Sequence, residues 1–175
     1  MTEVCSYPRS ANSRAATGHG YPMMTARHLV PISLSTDVEV TVSSDMFTQM
    51  RAAYQAGRWA GHGSAGEPEL SVRDVLRMAT LAGARALGLD DRTGSLTPGK
   101  QADLFLLHFL LRADRPDVAP VYDPVSTVVL QMDRVHVDTV LVAGRTMLRH
   151  GRPLTDDTAL LAEAAKASAR LAPLL

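Results

Sequence analysis

The hydrophobic period of the sequence changes near Asp90, and this change limits the possible folds more than any other feature. Before it, apolar residues recur at helical spacing over Val72–Leu87, and Ser71–Asp74 resembles a capping box at the start of that helix. After it, Ala102–His108 is a strand-like apolar run and Val135–Ala143 alternates as a strand does. The order predicts an α/β part followed by a small β unit.

The α/β part contains two candidate strands and a capped helix. Thr2–Ser6 is a possible short strand, and Val30–Ser35 is rich in Val, Ile and Leu, which predicts a buried strand. That strand ends at Thr36-Asp37. Polar residues then lead to Asp45, which is placed to cap a helix across Met46–Trp59.

The second half of the sequence predicts a hairpin between two helices. Asp123-Pro124 opens a short helix that extends to Met132. Val135–Ala143 and Thr146–Arg149 are predicted to pair through a turn at Gly144, with Gly151 ending the hairpin. Thr158–Leu171 is rich in Ala and Leu and predicts a terminal helix. The predicted domains are residues 1–90, 91–155 and 156–175.

Charge and cysteine content argue against several classes of protein. Lys+Arg and Asp+Glu both number 18, so we expect neither nucleic acid nor an anionic membrane as a partner. A single cysteine, Cys5, rules out an internal disulfide and favours a reducing compartment. The longest apolar stretch, Leu104–Leu111, is interrupted by His108 and is far shorter than the ~20 residues of a membrane helix. We therefore expect a soluble, cytoplasmic protein without a signal peptide.

Three stretches of the sequence are more specific together than any of them is alone. They are Leu34–Asp37 followed by Ser44–Phe47, Met78–Leu89 followed by Gly94–Leu104, and Val137–Arg145. Together they resemble the C-terminal part of the amidohydrolase superfamily, in the branch of cytosine, guanine and adenosine-type deaminases and triazine chlorohydrolases. The second stretch is similar to the place where the chain of that family leaves its barrel and enters a small β domain.

The resemblance implies an α/β fold: the last strands and helices of a (β/α)₈ barrel, then a small β-sandwich-like domain and a C-terminal helix. Thr2–Ser6 would be strand 7 and Val30–Ser35 strand 8, while strands 1–6 have no counterpart here. Asp37 then corresponds to the aspartate that binds the divalent metal of the family, commonly zinc. In the family a His-x-His pair after strand 1 and histidines after strands 5 and 6 complete the site.

Asp37 is marked by the resemblance as metal ligand and catalytic residue. Barrel enzymes build their active sites at the C-terminal ends of the strands, and a carboxylate there can bind a metal and accept a proton from water. The alternative is an aspartate that only caps the following loop. The family continues with Gly and small polar residues after its aspartate, whereas Val38–Thr41 follows here, so the substrate class stays open.

The other ligands of such a metal site are missing from the sequence. A catalytic metal needs about three protein ligands, and the six histidines include no His-x-His pair. His19 lies in a loop that the resemblance places on the active-site face, where it could contact substrate or simply be solvated. Arg9 and Arg14 in the same loop could orient an anionic substrate or be ordinary exposed residues.

Two functions remain open from the sequence. In the first, the chain is part of a metal-dependent hydrolase of C–N bonds other than peptide bonds, which deaminates an aminated heterocycle as its small-molecule substrate. In the second, it is a non-catalytic truncated remnant or an interaction module. A barrel without six of its strands cannot close and would expose an unpaired edge. We therefore predict that this chain alone does not turn over substrate. It is one piece of a longer protein, a truncated reading frame, or a product that survives only with a partner, either a complementing chain or a second copy of itself.

Overall fold

The computed structural model describes residues 4–5, 32–36, 45–61, 70–108 and 121–172. The strands are β1 (Val4–Cys5), β2 (Ile32–Ser33), β3 (Leu104–Leu107), β4 (Val137–Val142), β5 (Arg145–Arg149) and β6 (Arg152–Pro153). The helices are α1 (Met46–Gly61), α2 (Val72–Met78), α3 (Leu81–Ala86), α4 (Pro124–Leu130) and α5 (Thr158–Leu171), with a 3-10 turn at Arg134–His136. The predicted order, α/β first, then a β unit, then a helix, is confirmed.

Strands β1 and β2 pair in parallel, with Val4 opposite Ile32 and Cys5 opposite Ser33. Parallel pairing is the arrangement that successive strands of a (β/α)₈ barrel adopt. The second sheet is antiparallel and runs in the order β3-β4-β5-β6. The described strands therefore separate into a parallel part and a small antiparallel part, as the sequence predicts.

The predicted hairpin of β4 and β5 is confirmed, but the sheet continues beyond it. Ala143 and Gly144 both have positive φ, 49° and 78°, which is typical of the two-residue turns that match the twist of a hairpin. Strand β5 ends at Arg149, next to the turn at Gly151 that was predicted to end the hairpin, but the sequence did not predict the strand β6 that follows. His150 and Gly151 have φ of 51° and 71°, so they form a second tight turn into β6.

The apolar core joins α1, α2 and α4 to the end of β2. Its buried residues are Leu34, Phe47, Met50, Ala53, Leu70, Val75, Met78, Val129 and Met132. The small sheet also packs against this core through Leu107 and Val137. The Phe105 ring meets the Phe47 ring edge to face, with ring centroids 6.2 Å apart. The antiparallel sheet and the helices thus share one apolar core.

The single helix predicted over Val72–Leu87 was wrong, because the chain breaks into α2 and α3 at Thr80. The predicted capping box is present, with Ser71 and Asp74 each accepting from the backbone of the other. Thr80 has φ −128° and ψ −95°, and its hydroxyl donates to the Leu76 carbonyl at 2.7 Å. A threonine hydroxyl competes for carbonyls in this way and favours a bend. The apolar stripe continues across the break, so its period does not reveal it.

Other boundaries differ by one or more residues from the predicted ones. Within the described residues 32–36, the strand predicted over Val30–Ser35 is regular at Ile32–Ser33. The strand predicted from Val135 begins at Val137, because a 3-10 turn precedes it. The Asp123 carboxylate caps α4, accepting from the Ser126 N–H at 3.0 Å. Among the described helices, none is both long and apolar enough to cross a membrane.

Candidate metal centre

The candidate centre lies where β2 ends. Ser33 and Leu34 are buried there, and the Ser35 hydroxyl donates to the Thr36 carbonyl at 3.1 Å. Asp37, the predicted metal ligand and catalytic residue, comes next in the chain but lies outside the described residues, as does His19. Arg9 and Arg14 also lie outside the described residues. The roles assigned to these four side chains stay predictions.

The strand end is attached to the break between α2 and α3. The Leu34 N–H donates to the Met78 carbonyl at 3.2 Å. Because α2 ends at Met78, this carbonyl lies in the last turn of a helix, where main-chain oxygens lose their helical donors. Helix α3 also contacts β2. The helix break therefore fixes the backbone three residues before Asp37.

Residues 87–103 connect α3 to β3 and are called the Gly94 link. Gly94 brings this link into close contact with α3. A Cβ atom on Gly94 would lie 2.5 Å from the Ala84 Cβ, 3.1 Å from the Leu81 Cα and 3.3 Å from the Thr80 carbonyl oxygen. Gly94 also has φ of +83°, which residues with a side chain rarely adopt. Only glycine accommodates both the positive φ and the lack of room for a Cβ atom without strain. This explains why glycine occupies position 94 in the stretch Gly94–Leu104 that resembles the family.

Lys100 closes the same link on itself, and Asp103 attaches it to the small sheet. The Lys100 ammonium donates to the carbonyls of Asp90 and Thr93. The Asp103 carboxylate accepts from the Ala143 N–H at 2.5 Å, which places it on the β4–β5 turn. The second and third resembling stretches thus touch each other. The sequence did not predict this contact. Its one signal was the position of Asp103 directly before strand β3, where a carboxylate can accept from the backbone of a neighbouring turn.

Histidines of the small sheet are engaged with aspartates. His108 Nε2 lies 2.8 Å and His150 Nδ1 3.2 Å from the same Asp138 oxygen. The Thr139 hydroxyl donates to the other oxygen, and this hydrogen bond, followed by that from His108, lowers the pKa of Asp138 to about 2. Buried His136 instead contacts Asp133, with Nδ1 3.0 Å from the carboxylate. The two contacts of Asp138 join residues that follow β3 and β5 to β4, whereas the His136 contact lies within the 3-10 turn that precedes β4.

A complete metal site does not form within the part of the chain that the structure describes. No group of three His, Cys, Asp or Glu side chains among those residues could hold a metal ion. A catalytic zinc site needs about three protein ligands, and the predicted ligand Asp37 lies outside the described residues. The donors of the described residues therefore do not fit a metal on their own.

Comparison with known proteins agrees with this geometry. Residues 1–147 match the amidohydrolase family. A 5-methylthioadenosine/S-adenosylhomocysteine deaminase of Teredinibacter turnerae is 34% identical over 153 residues, covering 87% of this chain and 33% of the relative. A 5'-deoxyadenosine deaminase of Methanothermobacter thermautotrophicus is 33% identical, covering 94% of this chain and 36% of the relative.

Solved structures show the same relationship. A zinc-bound adenosine deaminase of Xanthomonas campestris superposes with a TM-score of 0.74 at 30% identity, covering 87% of this chain and 34% of that one. A zinc-bound atrazine chlorohydrolase of Arthrobacter aurescens superposes with a TM-score of 0.67 at 25% identity, covering 83% and 31%. This chain thus spans about a third of the length of the relatives it matches. Because the matched residues 1–147 include the parallel strand pair, the helix break and the Gly94 link, the chain belongs to the amidohydrolase family.

Proposed function

We propose that this chain contributes the last barrel strands of a metal-dependent hydrolase of C–N bonds, one that deaminates an adenosine-type heterocycle. The curated relatives that it matches include 5-methylthioadenosine/S-adenosylhomocysteine and 5'-deoxyadenosine deaminases. The observation that carries the proposal is the end of β2. That strand pairs in parallel with β1. Leu34, which lies three residues before Asp37, donates a backbone hydrogen bond to the Met78 carbonyl.

In this proposal Asp37 is a metal ligand and the group that accepts a proton from the attacking water. The metal, zinc in the solved relatives, supplies Lewis acidity when bound in the whole enzyme. His19 is proposed to contact the substrate from the loop after β1. Since the sequence contains no His-x-His pair, the remaining ligands would come from another stretch of polypeptide.

The proposal also assigns a structural part to each of three segments of the chain. Residues 1–90 would contribute to the barrel, residues 91–155 would form the small β domain, and residues 156–175 would form a terminal helix. We propose the cytoplasm as the compartment, since Cys5 is the single cysteine and no disulfide supports the fold.

A chimera tests the role of Asp37. The 153 residues of this chain that align with the Teredinibacter turnerae deaminase replace the matching stretch of that enzyme, which supplies the rest of the barrel. We expect zinc binding and ammonia release from 5-methylthioadenosine, and Asp37→Asn should lower kcat/KM by at least about 100-fold. Asp45→Asn is the matched control, because Asn caps helix α1 as well as Asp does.

Two outcomes would contradict the proposal. One is a folded, zinc-loaded chimera in which Asp37→Asn keeps the activity of the parent. The other is ammonia release by the isolated 175-residue chain with zinc, because its own ligand set is incomplete. A folded and zinc-loaded chimera that is inactive with Asp37 in place would instead favour a non-catalytic interaction module. The exposed face of α5 is the observation that favours this second function.

A further inference from the structure

The C-terminal helix α5 has an apolar face that the described structure does not cover. No residue of Thr158–Leu171 is buried. Leu160, Leu161 and Leu171 are 69%, 66% and 57% exposed. A helix of this length is marginally stable alone in water. Its exposed leucines therefore call for a packing partner.

The apolar face has the spacing of a helix-pairing seam. Leu160, Ala164, Ala167 and Leu171 are separated by four, three and four residues, which places them in one row along the helix. Leucines stand at both ends of the row, and alanines in the middle allow two helices to approach closely. Along this row the side chains are large, small, small and large, and this order is the same when the helix is followed in the opposite direction. A second copy of α5 running antiparallel would therefore place each leucine against a leucine.

The charges that border the seam fit the same antiparallel arrangement. Glu163 and Arg170 are seven residues apart, so they border the seam on the same side. When Leu160 lies against Leu171 of a second copy, Glu163 comes opposite Arg170 of that copy, and the symmetry repeats the pair. A parallel arrangement would place Glu163 near Ser168 of the other copy instead. Charge complementarity therefore favours a second, antiparallel copy.

We propose that α5 is a dimerisation element, through which two copies of this chain pair antiparallel along the row Leu160, Ala164, Ala167 and Leu171. Ion pairs between Glu163 and Arg170 of opposite copies fix the direction. A helix of 14 residues is about 21 Å long, so the interface belongs to the small, transient class. The dimer should therefore dissociate on dilution. This inference does not depend on Asp37 or on the proposed deaminase activity.

Sedimentation equilibrium of the full 175-residue chain over a wide concentration range is the direct test. We expect a monomer–dimer equilibrium, with a dissociation constant raised at least tenfold by Leu160→Lys together with Leu171→Lys. Glu163→Arg alone and Arg170→Glu alone should each weaken the dimer several-fold by placing like charges together. The double variant Glu163→Arg with Arg170→Glu should restore it, because it recreates both pairs with opposite polarity.

Lys166 provides the matched control. Its ammonium contacts the Glu163 carboxylate within the same helix at 2.7 Å, and its position is on the outer side of the seam. Lys166→Gln removes that contact and should leave the dissociation constant unchanged, while circular dichroism checks that each variant keeps its helix. A chain that stays monomeric throughout, or a double charge variant no tighter than the single ones, would overturn the proposal.

Discussion

Gly94 combines two constraints at one residue, a positive φ and a contact that leaves no room for a Cβ atom. We expect Gly94→Ala to lower the free energy of unfolding by about 2–4 kcal/mol, since overpacking against Ala84 adds to the backbone strain. Gly99→Ala is the matched control: its φ is +92°, but nothing lies within 4 Å of its added Cβ. It should cost only about 1–2 kcal/mol from strain. Urea unfolding of both variants measures the difference, and equal losses would show that the contact with α3 contributes nothing.

Asp138 makes the stability depend on pH at acid values. Its pKa is lowered from 3.8 to about 2 in the folded chain, mainly by the Thr139 hydroxyl. Its stabilisation is therefore present above pH 3.8 and is lost as the pH falls through about 2. Thr139→Val removes the main cause and should shrink that acid loss. Urea unfolding between pH 2 and 5 checks this, and an unchanged slope for Asp138→Asn would assign the acid loss to other carboxylates.

At the scale of elements, Arg51 connects α1 to the end of α4. Its guanidinium donates to the carbonyls of Leu130, at 2.9 Å, and Met132, at 2.6 Å. A cation at a helix C-terminus satisfies carbonyls that lack helical donors. We expect Arg51→Ala to lower the free energy of unfolding by about 2–3 kcal/mol. Thermal unfolding provides the measurement.

Arg73 is the control for that prediction. It forms an ion pair with Asp123, with the two side chains 70% and 39% exposed. Exposed pairs contribute little, so Arg73→Ala should cost less than about 1 kcal/mol. A loss for Arg51→Ala no larger than that of the control would mean that the carbonyls of α4 are satisfied equally well by water.

Local chemistry explains which element boundaries the sequence predicts. Ser71, Asp45 and Asp123 begin helices because their short side chains accept from backbone N–H groups just ahead of them. The break at Thr80 leaves the apolar stripe intact, so periodicity does not register it. Strand β6 is two residues long and therefore shows no alternation to read. A hydrophobic pattern reveals a helix or strand only when that element is long enough for the pattern to repeat.

At the scale of the whole molecule, the sequence predicts the family, the order of elements and the strand that leads to Asp37. The contacts that position these parts join residues far apart in sequence, such as Asp103 with Ala143 and Arg51 with Leu130. No local pattern encodes such pairs. The other metal ligands could not be predicted either, because the chain contains no His-x-His pair to assign. The prediction for Asp37 thus rests on its place after β2 and on the family match.

The bond between the Leu34 N–H and the Met78 carbonyl joins two main-chain groups. Every amino acid carries the same carbonyl, and every one but proline the same N–H, so a substitution at either buried position that keeps the core packed leaves the bond available. A proline at residue 34 is the exception, since it removes the donor. Relatives that carry other residues at positions 34 and 78 can therefore keep the end of β2 in the same place.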